Sequence, residues 1–283
     1  MRIKIVTDSS CDLTPQIITE NSIGVVPLSV TFENNDTYTE GVEITPEQFW
    51  TRMASSRELP KTSRPSPNAF VEIFKEAIEN DSSIIYIGIS SALSGTYESA
   101  QLAAKSVGGD IHLIDSLTGS LGLGILAIIA SEFAQSGLDV QSVVKKITEH
   151  RDGMNTLFTM DSLENLIKGG RLGRLPGLVG TVLDIKPIGK SNQGRIDVLE
   201  KVRGRNKSLK RLIQLMEEMG SGLQEKIVGI SHLDCLQDAL TLKETIEEEF
   251  GPRRIIISKI GSTMGTYAGK GGDHSFFLKN SFH

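Results

Sequence analysis

At 283 residues, with a net charge of −5 and 39% hydrophobic residues, the chain is long enough for two domains and has the composition of a soluble globular protein. Its two cysteines, Cys11 and Cys235, form no Cys-x-x-Cys or Cys/His spacing; no disulfide or structural zinc is expected, and a reducing, cytoplasmic setting is. The most apolar run, Leu121 to Ala130, is too short to span a bilayer and contains Gly122 and Gly124, so it predicts a buried helix and no membrane span.

Arg2 to Thr7 reads as a first strand rather than a secretory signal, because the apolar run is short and Asp8 follows at once. Asp8, Ser9 and Ser10 then lie at the carboxyl edge of a parallel sheet, where open α/β sheets bind ligands. Thr14 and Pro15 cap and open a helix to about Asn21, and Gly24 to Val30 returns as a second strand. Asn34 to Glu43 is a loop or exposed hairpin. Thr45-Pro46-Glu47-Gln48 combines a capping box with proline at the first helical position, which predicts a helix from Pro46 to Met53. The run Leu59 to Pro67 places three prolines around Thr62, Ser63 and Ser66, and fixed φ angles lower the entropic cost of holding those hydroxyls. Ser66 caps the next helix, whose buried face is Phe70, Ile73, Phe74, Ala77 and Ile78.

Ile84 to Ala100 changes from an apolar, β-branched run to a hydroxyl-rich turn to a helix. Ser90, Ser91, Ser94, Gly95 and Thr96 stand where the helix begins. The unpaired N–H groups there suit a carboxylate or phosphate, although Ser and Thr also serve simply as caps, the role expected of Thr96. Ile111 to Ile114 is a further strand, Leu117 to Gln135 the buried helix closed by Gly137, and Asp139 caps a helix to about His150. The alternation predicts a doubly wound parallel sheet over this half.

From Met154 the pattern shifts to a short strand, a helix opened by Asp161 and Glu164, and an apolar, Gly-spaced segment from Leu175 to Leu183. Asp184 to Gly189 and Arg195 to Val202 form a hairpin around Ser191-Asn192-Gln193-Gly194. A helix, strand, helix and strand follow, and Phe276 to Lys279 is a last strand. The expected fold class is therefore α/β: an N-terminal doubly wound parallel-sheet domain over 1–152 and a C-terminal α/β domain with a mixed sheet over 153–283, with ligand bound between the domains.

Charge is unevenly spread. Between Lys168 and Arg211 there are 12 Lys/Arg against 3 Asp/Glu, while the rest of the chain carries 18 basic and 32 acidic residues. This basic stretch predicts contact with an anionic small molecule or an acidic protein partner. It has no aromatic residue for base stacking and no nucleic-acid-binding signature, so no nucleic acid partner is expected.

Catalytic readings lack partners. Ser94 is in no G-x-S-x-G elbow and has no assignable histidine base. Asp8 and Asp12 resemble a magnesium-binding pair, but Ser10 stands where Asp-x-Asp needs its second carboxylate. Gly269-Lys270-Gly271-Gly272 lacks the ending of a P-loop, and Cys11 has no cation to stabilise a thiolate. No catalytic residue, metal ligand or cofactor is assigned. A hydrolase or phosphotransferase at the same strand-end site is the alternative reading. A binding site accounts better for neutral donors at Thr62 and Ser94, with the Leu121 to Ala130 helix and the 175–183 segment as apolar walls. Such a site suits an anion with a long apolar tail, for which about fourteen buried methylenes contribute on the order of 11 kcal/mol before ordering costs.

TDSSCDL, KTSRPSP, SSALSGTYESA, GGRLGR and GSTMGTYAGKGG, in this order and over almost the whole chain, resemble the DegV family. The resemblance implies a two-domain α/β protein that binds one long-chain fatty acid between its domains. In members of the fatty-acid-kinase-subunit (FakB) type, the protein presents the carboxylate to a separate ATP-dependent kinase catalytic subunit for phospholipid synthesis. It further implies that Thr62 and Ser94 bind the carboxylate, with Tyr267 a third contact and Ser63, Gly95, Ser262 and Lys270 in the head-group vicinity. The arginines of the GGR motif and the basic stretch, Arg171, Arg174 and Arg203, are implied in docking the kinase. The chain departs from the family pattern near its end, where Tyr267 replaces a histidine and Lys270 a proline. A tyrosine hydroxyl donates a hydrogen bond but carries no positive charge, so either Tyr267 meets the carboxylate differently or Lys270 supplies the cation.

Overall fold

The computed structural model describes residues 2–172, 184–220 and 222–269, and the backbone of a strand over 276–281. The first half runs β1 (Arg2–Asp8), α1 (Pro15–Glu20), β2 (Gly24–Val26), β3 (Ser29–Thr31), β4 (Thr37–Thr39), α2 (Pro46–Ser55), β5 (Lys61–Ser63), α3 (Pro67–Glu79), β6 (Ser82–Gly88), α4 (Thr96–Val107), β7 (Ile111–Asp115), α5 (Ser120–Gln135) and α6 (Val140–Asp152). The second continues β8 (Met154–Thr159), α7 (Glu164–Lys168), β9 (Ile185–Asn192), β10 (Arg195–Arg203), α8 (Arg205–Met219), β11 (Ile227–His232), α9 (Leu236–Phe250), β12 (Arg254–Lys259), α10 (Ser262–Ala268) and β13 (Phe276–Ser281).

The fold is α/β. β2-β1-β6-β7 form a four-stranded sheet whose pairs are all parallel. β10-β9-β8-β13-β11-β12 form a six-stranded mixed sheet in which only β11 and β12 pair in parallel. Local signals place many of the boundaries. Thr45 and Gln48 make the expected capping box on α2, and Thr14, Ser66 and Asp139 each accept a backbone N–H at a helix start.

One expectation is corrected and one element is added. The single strand over Gly24 to Val30 is broken by Pro27, which has no N–H to give a ladder. β2 stays in the parallel sheet, while β3 pairs antiparallel with β4 and β5 in a separate three-stranded sheet. Helix α10 has no counterpart in the sequence reading: it is short, opens on Gly261 without a side-chain cap and carries Gly265 inside.

Helix α5 holds the two larger sheets together. Leu121 to Ser131 are all buried, in one core with Ile85 and Ile87 of β6, Ile227 of β11 and Ile256 of β12. The close fit depends on glycine: a Cβ on Gly124 would stand 2.8 Å from the Cys11 carbonyl oxygen and 2.7 Å from Leu13, and one on Gly229 would stand 2.9 Å from Leu121. Polar contacts across the halves include Ser120 Oγ with Ser231 Oγ at 2.9 Å, Thr118 Oγ1 with Thr156 Oγ1 at 2.9 Å, and Trp50 Nε1 donating to the Ile260 carbonyl at 3.2 Å. Among the described residues no helix is long and apolar enough to cross a membrane. Gly124→Ala is expected to lower the unfolding free energy by about 1–3 kcal/mol in a denaturant titration, overpacking outweighing the gain in helix propensity.

Candidate functional site

Three local structures converge. The first is the turn after β6. Asp8 is fully buried, and its Oδ2 accepts from Tyr86 Oη at 2.9 Å and from the Ile89 backbone N–H at 2.9 Å, while the Ser10 N–H donates to Oδ1 at 3.2 Å. Burial raises the Asp8 pKa and these hydrogen bonds pull against that shift. Beyond the anchored Ile89, the Ser90 carbonyl accepts from Leu93 and Ser94 N–H at 3.0 and 3.1 Å and closes the turn that presents Ser94. Thr96, expected as the cap, is instead the first helical residue of α4; its N–H donates to Ser94 Oγ at 3.3 Å, and the two hydroxyls pair at 2.8 Å.

The second structure is β5, where Thr62 stands opposite Val30 of β3 and is half-buried while its neighbour Ser63 is exposed, as strand alternation requires. The third is α10, held at its start by Glu40. Glu40 is buried, and its carboxylate accepts from Ser9 Oγ at 2.6 Å, Ser262 Oγ at 2.9 Å, Thr263 N–H at 2.8 Å and Thr263 Oγ1 at 2.7 Å. One turn later on the same helix, Tyr267 Oη shares a 2.7 Å hydrogen bond with Thr62 Oγ1.

These structures line a partly open cavity of about 350 Å³, within the range of small-molecule sites. Its polar lining is Thr62, Arg64, Ser94, Gly95, Arg171, Thr263 and Tyr267; its apolar lining is Leu28, Ile89, Leu93, Met160, Leu166, Ile196, Met264 and Ala268. Arg171 lies over the Tyr267 ring, 4.6 Å from its centroid, and donates from Nε to the Leu93 carbonyl at 3.2 Å and from Nη1 to the Gly169 carbonyl at 2.6 Å. Arg64 donates from Nη1 to the Gly95 carbonyl at 3.0 Å and pairs with Glu98. No Asp, Glu, His or Cys is among the described lining residues.

Thr62, Ser94, Tyr267, Gly95 and Arg171, singled out from the sequence, thus line one cavity. Ser63 and Ser262 do not: the first is exposed, on the opposite face of the strand from Thr62, and the second is buried on Glu40. Arg203 ends β10 opposite Ile185, seven residues along the strand from the lining residue Ile196, a span of about 23 Å. Arg174, Lys270 and the 175–183 segment lie outside the described residues. Helix α5, expected as a cavity wall, contributes none of the lining because both of its sides are taken by the sheets. The basic stretch is partly neutralised, with Lys168, Lys186, Arg205 and Arg211 paired to Glu164, Asp161, Asp238, and Glu200 with Glu218.

Arg64, Thr263, Met264 and Glu40 were missed. Arg64 stood in view between Thr62 and Pro65, but nothing in its type separates a lining arginine from a solvated one. The carboxylates considered for metal chemistry are used in the fold: Asp8 as above, and Asp12 through an N–H bond from Gly261 to its Oδ1 at 2.9 Å. Cys11 is buried, and that burial, with the charges of Asp8, Asp12 and Glu40, pushes its pKa up and keeps it a thiol.

The sequence model described as "Uncharacterised protein, DegV family" matches residues 2–273. The chain belongs to the DegV family. A DegV domain-containing protein of Clostridium perfringens is 33% identical over 97% of this chain and 96% of its own length, and one of Lactococcus lactis is 34% identical over 96% and 97%. Among solved structures, a fatty-acid-binding DegV family protein of Thermus thermophilus superimposes with a TM-score of 0.92 at 26% identity, covering 100% of both chains. The fatty acid kinase B3 protein of Streptococcus pneumoniae, loaded with linoleic acid, superimposes with a TM-score of 0.87 at 26% identity, again over 100% of both. A DegV lipid-binding protein of Thermotoga maritima gives 0.89 at 28% identity, over 99% of this chain and 98% of that one.

For this DegV chain, Thr62→Ala and Tyr267→Phe are expected to be non-additive in stability, with a coupling of about 0.5–1.5 kcal/mol for the shared hydrogen bond, measured by a double-mutant cycle. Glu40→Ala, which leaves the Ser262 and Thr263 donors without their buried acceptor, is expected to cost at least about 2 kcal/mol in the same denaturation assay.

Proposed function

We propose that this chain binds one long-chain fatty acid in the cavity and presents its carboxylate to a partner ATP-dependent kinase, performing no catalysis itself. The observation that carries the reading is the gathering of the Thr62, Ser94 and Tyr267 hydroxyls at the wall of an otherwise largely apolar cavity. In this reading the chain divides near residue 153 into an N-terminal unit (1–152) that supplies Thr62 and Ser94 and a C-terminal unit (153–283) that supplies Tyr267 and Arg171. The fatty acid lies between the two units, and the protein works in the cytoplasm without a cofactor.

The division of labour follows from energetics. Each buried methylene contributes about 0.8 kcal/mol, so the tail dominates affinity, while the hydroxyls orient the head group. Arg171, fixed by two carbonyls and the Tyr267 ring, supplies the positive charge that a tyrosine cannot. In the kinase reaction a carboxylate oxygen forms the bond to the γ-phosphorus of ATP as the bond to ADP breaks, giving an acyl phosphate. The kinase docks against the basic stretch that includes Arg171, Arg174 and Arg203. The hydrolase or phosphotransferase alternative is disfavoured because Asp8 and Asp12, its candidate carboxylates, are engaged in holding the fold.

Organic extraction of the purified protein followed by mass spectrometry is expected to release a long-chain fatty acid; an extract that is repeatedly empty, together with no uptake of added fatty acid, contradicts the proposal. Ser94→Ala is expected to weaken fatty acid binding about tenfold, the worth of one charge-assisted hydrogen bond, and Ser9→Ala much less. With no Asp, Glu, His or Cys among the described lining residues, affinity is expected to vary by less than about twofold between roughly pH 6.5 and 8. Titration of binding against pH checks this.

A further inference from the structure

We propose that Gly119, which is not part of the cavity lining, determines how long an acyl chain the cavity accepts, by giving the end of the Met264 side chain a seat outside the cavity. The inference rests on the fatty-acid-binding reading above and concerns the apolar wall of the same cavity.

Gly119 is the N-cap residue of α5, a position that favours serine, threonine, asparagine or aspartate because their side chains accept a backbone N–H. Its φ of −153° and ψ of −174° are extended backbone open to any residue, so conformation does not call for glycine here. Space does. A Cβ at this position would stand 3.1 Å from Met264 Cε, 3.3 Å from its Sδ and 3.5 Å from Ile89 Cδ1. Met264 and Ile89 both line the cavity, so the Met264 side chain runs from the cavity wall to a seat over the bare Cα of Gly119.

In this contact the thioether is the part that gives way. Ile89 is buried, and its N–H donates to Asp8 Oδ2 at 2.9 Å. The backbone of α10 is held against retreat: Thr263 N–H donates to Glu40 at 2.8 Å, and a Cβ on Gly265 would already stand 2.6 Å from Trp50 Cζ2 on α2. Met264 is half-buried and packs against both the core around α5 and the core that contains Phe49 and Trp50. Its side chain is unbranched, with three rotatable bonds. A methyl group at position 119 asks it to move by only a few tenths of an ångström, whereas a larger side chain takes the whole seat. The thioether then turns toward the open space it already borders, the cavity, and Sδ and Cε take from the ligand the room of about two methylenes.

The test titrates dodecanoate, hexadecanoate and octadecanoate into the whole protein and reads the ratios of their affinities. Gly119→Val is expected to lower the hexadecanoate-to-dodecanoate ratio about tenfold, the worth of roughly two buried methylenes, and adding Met264→Ala to it is expected to restore most of that ratio. Met264→Ala alone, which leaves the seat empty, is expected to raise the octadecanoate-to-dodecanoate ratio at least about threefold. If hexadecanoate binds the wild type but Gly119→Val leaves the ratio unmoved, or the double variant recovers nothing, the seat does not set chain length and the fatty-acid reading stands. Should Gly119→Val fail to fold, an unmoved octadecanoate ratio in Met264→Ala overturns the inference by itself. If none of the acids binds the wild type, both fall.

Discussion

Helix α5 has no face for water between Leu121 and Ser131, and a helix of that kind reaches a stable state only when apolar surface covers it all round. Here the parallel sheet covers one side and the mixed sheet the other, with Gly124 and Gly229 setting how closely the backbones approach. The rest of the molecule depends on that burial, because it fixes one sheet against the other. The residues that line the candidate site come from both sides of α5 in the chain: Thr62, Arg64 and Ser94 precede it, whereas Arg171, Thr263 and Tyr267 follow it.

On this apolar base the polar end of the cavity is assembled by a second set of constraints. Glu40 belongs to the turn after β4, beside the small sheet that carries Thr62, and its carboxylate accepts four hydrogen bonds, one from Ser9 and the others from the first turn of α10. Three of those bonds come from α10, so the helix is tied to the sheet at Thr263 and again, one turn on, where Tyr267 meets Thr62. Two attachments at i and i+4 fix both the position and the rotation of a short helix that has weak helix-forming residues of its own. The polar end of the cavity is therefore built of neutral hydroxyls, with positive charge from arginines that donate to backbone carbonyls.

The sequence made the parallel half legible because its signals are local. β-branched runs, proline at the first helical turn and hydroxyl caps place β1, β6, α2, α3 and α6 within a few residues. Ser94 and Thr62 were also visible, as hydroxyls in constrained turns. The remainder was hidden by non-local causes. Pro27 signals a break, but nothing nearby says that β3 will leave the parallel sheet for an antiparallel partner. The first turn of α10 takes its hydrogen bonds from Glu40, more than 220 residues away, a partner no local pattern reveals. Arg64 reaches the cavity by packing against Gly95 in a turn after another strand, and donating to its carbonyl. α5, read as an apolar wall, is absent from the lining of this cavity for a related reason: hydrophobicity shows that a helix is buried, but not against what.

The fold is shared with fatty-acid-binding DegV proteins at TM-scores of 0.87 to 0.92, and the specific claim for this chain is the placement of a carboxylate among Thr62, Ser94 and Tyr267. The most direct measurement of that placement is the ¹³C resonance of a carboxyl-labelled fatty acid bound to the protein. The account predicts a single bound resonance, displaced from that of the free acid, which moves in Thr62→Ala, Ser94→Ala and Tyr267→Phe and stays in place in Ser63→Ala. A bound resonance indifferent to all four substitutions would contradict it.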